Sequence, residues 1–166
     1  NTIVVFLSDH GEYMGDHGFL GKGFHYDCVI RTPLIFAGPG IKQQRIDEVE
    51  SVLDIAPTLL DMVGVDEPEG TQGISLKEAL NGAAAPRDAA MTENDDDFGP
   101  MYVRTLTTKD WKLTYYLNQP LGELYDRKND PDEMVNLWNR PEHAGIKGEL
   151  TQRLLSEVMA ATDLSN

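Results

Sequence analysis

Hydrophobic positions divide the chain into two unlike stretches. "TIVVFL" (Thr2–Leu7) and "TPLIFAG" (Thr32–Gly38) are apolar and β-branched without alternation. That pattern predicts strands buried on both faces, as in a helix-covered parallel sheet. In "SVLDIAPTLLDMVGV" (Ser51–Val65), Val52, Ile55, Leu59, Leu60 and Val63 recur at spacings of three and four. This predicts a helix that stops at Gly64, with Pro57 either near its first turn or forcing a boundary. "SLKEALNG" (Ser75–Gly82) predicts a shorter helix with a serine cap, and "AAAPRD" reads as a connection.

The second stretch changes period. "AAMTEN", "MYVRTLTTK", "WKLTYYLN" and "GELYDRK" are short runs rich in β-branched and aromatic residues, separated by turn residues. They predict a small antiparallel sheet. "NDPDEMVNLWN" predicts a helical turn beginning at Asp130-Pro131. In the tail, Pro141–Thr162, the residues Ile146, Leu150, Leu154, Leu155 and Val158 fall at helical spacing. This predicts an amphipathic helix that covers the sheet. "ENDDDFG" (Glu93–Gly99) reads as a solvated acidic loop, because it lacks the alternating acidic positions of a calcium loop.

The chain has 166 residues and a formal net charge of −14. Residues 1–87 carry six basic against 13 acidic groups, and residues 88–166 carry eight against 15. No basic patch exists to meet a phosphate backbone, which argues against nucleic acid as a partner. An anionic substrate would have to be drawn in by local positive charge against this overall field. No apolar run approaches the roughly 20 residues that span a bilayer, so a membrane is not an expected partner. The one cysteine, Cys28, cannot form an internal disulfide and reads as a small buried apolar side chain. The chain enters its first strand within two residues and shows no export signal, so upstream sequence is expected and localisation stays open.

The densest chemistry lies in "SDHGEYMGDHGFLGKG" (Ser8–Gly23), directly after the first predicted strand. In open α/β sheets, ligands gather beyond the carboxyl ends of strands. A carboxylate and an imidazole there, Asp9 and His10, are plausible metal ligands, with Gly11 permitting a sharp turn. Lys22 follows between two glycines, which leave its ammonium uncrowded. A cation and a lysine meeting at one point would stabilise a tetrahedral oxyanion. Taken singly, "DHG" also serves as an Asx turn and "GKG" as a turn with a solvated lysine. Asp16 and His17 either bond the loop to itself or support the metal ligands from behind. Glu12 could pair with Arg31, and His25 could face a substrate.

"SDHGEYMGDHGFLGKGFHYDCVIRTPLIFAGPG" resembles the C-terminal part of the sulfatases, in the alkaline phosphatase superfamily. The resemblance continues, in order, through "VLDIAPTLLDMVGV", "GISLKEALNG", "TKDWKLTYYLN" and "GELYDRKNDPDEMVNLWNRPE". It implies an α/β fold. Residues 1–87 would be the C-terminal part of an alkaline-phosphatase-like α/β sheet, carrying the metal and sulfate loop. Residues 88–166 would be a small antiparallel sheet covered by a C-terminal helix. It also implies that Asp9 and His10 are metal ligands, that Lys22 holds the sulfate group, and that the full-length protein hydrolyses sulfate esters of a small molecule or glycan. Calcium is the family's usual cation. The imidazole of His10 would also suit manganese or zinc.

The family's nucleophile is a Cys or Ser in a C/S-x-P-x-R motif, oxidised to formylglycine. No such motif occurs among the 166 residues. The nucleophile, the remaining metal carboxylates and the leaving-group acid are therefore expected upstream, and the chain alone is expected to be inactive. A phosphodiesterase or phosphonate monoester hydrolase of the same superfamily, or a non-catalytic binding module, would also fit these residues. Without its upstream neighbours, the first strand would expose edges that invite self-association.

Overall fold

The computed structural model describes residues 1–96 and 101–162. Among these described residues the chain builds two antiparallel sheets and four α-helices, two of them a single turn long. Strand β1 (Val4–Leu7) pairs with β2 (Leu34–Ala37), with Val4 opposite Ala37 and Leu7 opposite Leu34. The pairing is antiparallel, which corrects the expectation of a parallel arrangement for these two strands. A parallel partner needs a long crossover, usually a helix. The only α-helix between β1 and β2 is the four-residue α1 (Asp27–Ile30), and the rest of the connection is the loop that carries the Asp-His-Gly triplets and one 3-10 turn. Val4, Phe6 and Ile35 share one face of this pair, and all three are exposed.

A 3-10 turn at Val52–Asp54 leads into α2 (Ile55–Val63), which ends at Gly64 in the left-handed region. Ser51 opens it with reciprocal bonds: its Oγ accepts from the Leu53 N–H, and its own N–H donates to Asp54 Oδ2 at 2.9 Å. The Asp54 side chain is fully buried, and also accepts from the Ile74 N–H and from Arg87. Helix α3 (Lys77–Leu80) is the short helix the sequence predicts.

The remaining strands are β3 (Ala89–Asp96), β4 (Met101–Thr108), β5 (Trp111–Tyr116) and β6 (Gly122–Asp126), ordered as a meander. Glu93–Asp96 lie in β3, so the expected acidic loop is partly strand, and residues 97–99 fall outside the described residues. The acidic positions are balanced across the sheet: Arg104, directly opposite Glu93, reaches both Glu93 and Asp95. No helix forms between Asp130 and Asn139. Asp130 caps a turn instead, accepting from the N–H groups of Met134 and Val135. Glu133, at φ 56°, has left the helical region.

Alternation sorts the four-stranded sheet into two faces. Leu106, Leu113 and Leu124 lie side by side on three strands and are fully buried under Leu150 and Leu154 of α4 (Ala144–Thr162). The opposite face carries Thr105, Thr107, Lys112, Thr114 and Tyr125, also buried. That polar face meets residues 13–27 of the N-terminal loop, through bonds such as those of His25 to Thr105 and Tyr26 to Glu123. The sheet therefore has a helix on one side and the chemically dense loop on the other.

Candidate functional site

Asp9 and His10 follow the end of β1 by two and three residues. Ser8 Oγ donates to the His10 carbonyl at 2.8 Å, and the His10 N–H donates to Asp9 Oδ1 at 2.9 Å. The second bond is the main reason the Asp9 carboxyl is held below the usual carboxylate range. The His10 ring lies 2.7 Å from the Gly11 carbonyl through Nδ1. A carbonyl only accepts, so Nδ1 donates this bond, and the Lys22 ammonium beside Nε2 only donates, which makes Nε2 the acceptor. Lys22 Nζ lies 2.6 Å from that Nε2, and Asp9 Oδ2 lies 3.4 Å from it. The structure thus brings Asp9, His10 and Lys22 together at one partly exposed point.

Gly11 explains how the triplet is held. Its N–H donates to the Val29 carbonyl at 2.7 Å, and a Cβ at this position would lie 2.0 Å from the Cys28 carbonyl oxygen. Only glycine permits so close an approach to the backbone of α1. On the other limb, the Tyr13 N–H donates to the Gly21 carbonyl, while Tyr13 Oη both donates to the Phe24 carbonyl and accepts from its N–H. Gly21 and Gly23 both take positive φ, at 79° and 145°, and leave the Lys22 side chain exposed between them. Asn94 of β3 donates to the Gly23 carbonyl at 3.1 Å. Tyr13 and Asn94 were not singled out in the sequence. Tyr13 resembles any core aromatic, and Asn94 is distant from the loop in sequence.

Other expectations fare differently. His25 is 5% exposed, and its Nδ1 lies 2.8 Å from Thr105 Oγ1, which in turn bonds Thr114. Burial, with help from Lys112 and Arg104, lowers its pKa to about 4, so the ring is neutral. The structure thus places His25 in the buried polar face of the sheet, apart from the exposed point where Asp9, His10 and Lys22 meet. His17 stacks on Tyr26 with ring centroids 3.8 Å apart, within a 3-10 turn (Asp16–Gly18). No Glu12–Arg31 ion pair forms among the described residues. Cys28 is half-buried in α1, and burial pushes its thiol up, in keeping with a passive side chain.

Asp9 Oδ2 and His10 Nε2 lie 3.4 Å apart, close enough for one cation at usual ligand distances of about 2.0–2.5 Å to touch both, provided that the Lys22 ammonium, which here sits on the Nε2 lone pair, moves aside. Two donors do not fill a metal's coordination. Among the described residues no group of three or more His, Cys, Asp or Glu side chains is placed to hold an ion. The donor set fits part of a metal site that needs further ligands from beyond the described residues.

Comparison with known proteins gives this geometry a family. A family model described as N-sulphoglucosamine sulphohydrolase, C-terminal, matches residues 15–160. The chain is 37% identical over 158 residues to a Delta 4,5-hexuronate-2-O-sulfatase of Bacteroides thetaiotaomicron, covering 90% of this chain and 33% of that protein. Among solved structures, a 2-O GAG sulfatase superposes with a TM-score of 0.90 at 34% identity, over 98% of this chain and 37% of that one. A phosphonate monoester hydrolase of Agrobacterium radiobacter superposes with a TM-score of 0.87 at 28% identity, over 96% of this chain and 35% of that one. The chain belongs to the sulfatase family, and has the alkaline-phosphatase-like fold of that family's C-terminal portion. It spans about a third of the length of the relatives it matches.

Proposed function

We propose that the full-length protein hydrolyses sulfate esters and that this chain supplies part of the metal site and the sulfate-binding lysine. The observation that carries the reading is the meeting of Lys22, His10 and Asp9 at one exposed point, in a chain whose relatives are named sulfatases. Asp9 and His10 would hold a divalent cation: calcium by family resemblance, with manganese or zinc also suited to the imidazole. When bound, such a cation draws charge from the oxygens of the sulfate and eases attack at sulfur. Lys22 would donate hydrogen bonds to a sulfate oxygen, and its ammonium would offset the charge that grows there. The proton on His10 Nδ1, held by the Gly11 carbonyl, would leave the Nε2 lone pair for the cation once Lys22 turns from it to a sulfate oxygen.

The formylglycine nucleophile and the leaving-group acid would come from upstream sequence of the same polypeptide. The exposed face of Val4, Phe6 and Ile35 is a suitable packing surface for that sequence. A sulfated glycan is the substrate class favoured by the similarity to a hexuronate-2-O-sulfatase. A second reading, phosphonate monoester hydrolysis, is favoured by the similarity to the Agrobacterium radiobacter enzyme. Assaying the full-length protein on 4-nitrophenyl sulfate, a sulfated disaccharide and an aryl phosphonate monoester separates the two. Faster turnover of the sulfates, lost by about a hundredfold or more in Lys22→Ala, is the expected result. Preference for the phosphonate, or a Lys22→Ala variant at wild-type rate, contradicts the sulfatase reading.

A further inference from the structure

Lys112 of β5 is 1% exposed, on the sheet face that meets the site loop. Its Nζ lies 2.5 Å from Asp27 Oδ1, pairs with Glu133, and donates to the His25 carbonyl at 3.0 Å. Arg127 pairs with the other oxygen of Asp27 at 3.1 Å, and the Asp27 N–H donates to Glu133 Oε2 at 2.8 Å. Two cations and two carboxylates thus balance inside the molecule. Burial alone would raise the Asp27 carboxyl, but Lys112 and Arg127 outweigh it and hold the group below its ordinary range. Charges buried to this degree survive only when each has its partners.

The cluster grips the backbone on both limbs of the site. His25, whose carbonyl it holds, follows Lys22 by three residues. Asp27, whose carboxylate it holds, opens α1, and α1 supplies the Val29 carbonyl that receives the Gly11 N–H. Gly11 in turn fixes the His10 ring through its own carbonyl. A continuous path of bonds therefore runs from Lys112 to the imidazole on one limb and to the backbone beside Lys22 on the other.

We propose that Lys112, with Asp27, Glu133 and Arg127, is a positioning residue that sets the distance between Lys22 and the Asp9–His10 pair. The inference rests on reading those three residues as the anion and cation site, but its primary test does not depend on turnover. Lys112→Met alone would strand two carboxylates, so the test variant is Lys112→Met with Glu133→Gln, made in the full-length protein. Gln keeps an oxygen for the Asp27 N–H, and Asp27 keeps Arg127.

Amide exchange in a peptide covering residues 9–22 should quicken by about tenfold or more, while a peptide covering residues 146–158 of α4, on the other face of the sheet, stays at the wild-type rate. The calcium concentration that half-saturates the protein should rise about tenfold in titration calorimetry. Unchanged exchange in residues 9–22, or equal quickening in both peptides, overturns the proposal. Changed exchange with no calcium binding in either protein would retain the positioning role and remove the metal reading. Should the double variant fail to fold, Asp27→Asn, which keeps Lys112 paired with Glu133, carries the same expectations and the same overturning outcomes.

Discussion

Lys22 Nζ lies 2.6 Å from His10 Nε2, although the two residues are twelve positions apart and neither is in a strand or helix. The contact exists because the intervening loop is pinned at both ends. Gly11 is bonded to α1, Gly23 is bonded to β3, and Tyr13 ties the limbs to each other. A carboxylate, an imidazole lone pair and an ammonium are thereby presented together on a loop, while the rigidity comes from the sheet behind it.

The tight seating of Gly11 gives a first prediction. A methyl group added there would meet the Cys28 carbonyl oxygen at 2.0 Å, and backbone cannot yield as a flexible side chain can. Gly11→Ala is expected to destabilise the protein by about 1–3 kcal/mol and to weaken divalent-cation binding. Thermal melting and calcium titration of the variant check this. Wild-type values in both would show that the approach to α1 is not needed.

His25 gives a pH dependence. Its folded-state pKa is near 4, and an unfolded histidine titrates near 6.5. Between these values the unfolded chain takes up a proton that the folded chain refuses. Stability from the neutral ring is therefore complete above about pH 6.5 and declines as pH falls toward 4, by up to roughly 3 kcal/mol in all. His25→Asn, which can keep a bond to Thr105, should flatten that slope. Urea midpoints at pH 7 and pH 5 measure it, and an equal fall in both proteins would contradict the assignment.

Glu50 should act in the opposite sense. Burial, reinforced by the Asp54 carboxylate, raises its pKa to about 7 against an ordinary value of 4.5. The folded protein holds this proton longer than the unfolded chain does. The contribution is present below about pH 4.5 and is lost as pH rises through 7. Glu50→Gln should match the wild type at pH 4.5 and melt higher at pH 8. A variant that melts at or below the wild-type temperature at pH 8 would contradict this account.

Expressed alone, the 166 residues should self-associate. Among the described residues the two-stranded sheet has both outer edges unpaired, and Val4, Phe6 and Ile35 form an exposed apolar face. Sedimentation velocity across a range of concentrations should show growing oligomers, reduced by Phe6→Lys. A monomer at the highest concentrations would show that this face is stable uncovered.

Much of this architecture was legible in the hydrophobic pattern. The short β-branched and aromatic runs between turn residues placed the meander, and the helical spacing of Leu150 and Leu154 placed the covering helix on it. Helix α2 carries Pro57 in its first turn and stops at Gly64, as expected. Strand direction was not legible, because an apolar run such as Thr2–Leu7 does not encode its partner's orientation. The helical expectation after Asp130 failed because Glu133 adopts positive φ and turns its carboxylate into the Lys112 cluster, a tertiary demand that local pattern does not record. The site residues Asp9, His10 and Lys22 stood out because their types and spacing resemble a known family. The buried lysine did not, because "WKLTYY" reads as an ordinary alternating strand whose polar positions face water. Here that face is covered by the site loop, so the lysine is buried with its partners instead.

The most direct measurement of the central claim is a crystal structure of the full-length protein grown with calcium and a sulfate ester analogue, with the cation located by anomalous scattering. The account predicts one cation in contact with both Asp9 and His10, and a sulfate oxygen within hydrogen-bond distance of Lys22 Nζ. A cation bound away from Asp9 and His10, or a sulfate group held without Lys22, would contradict it.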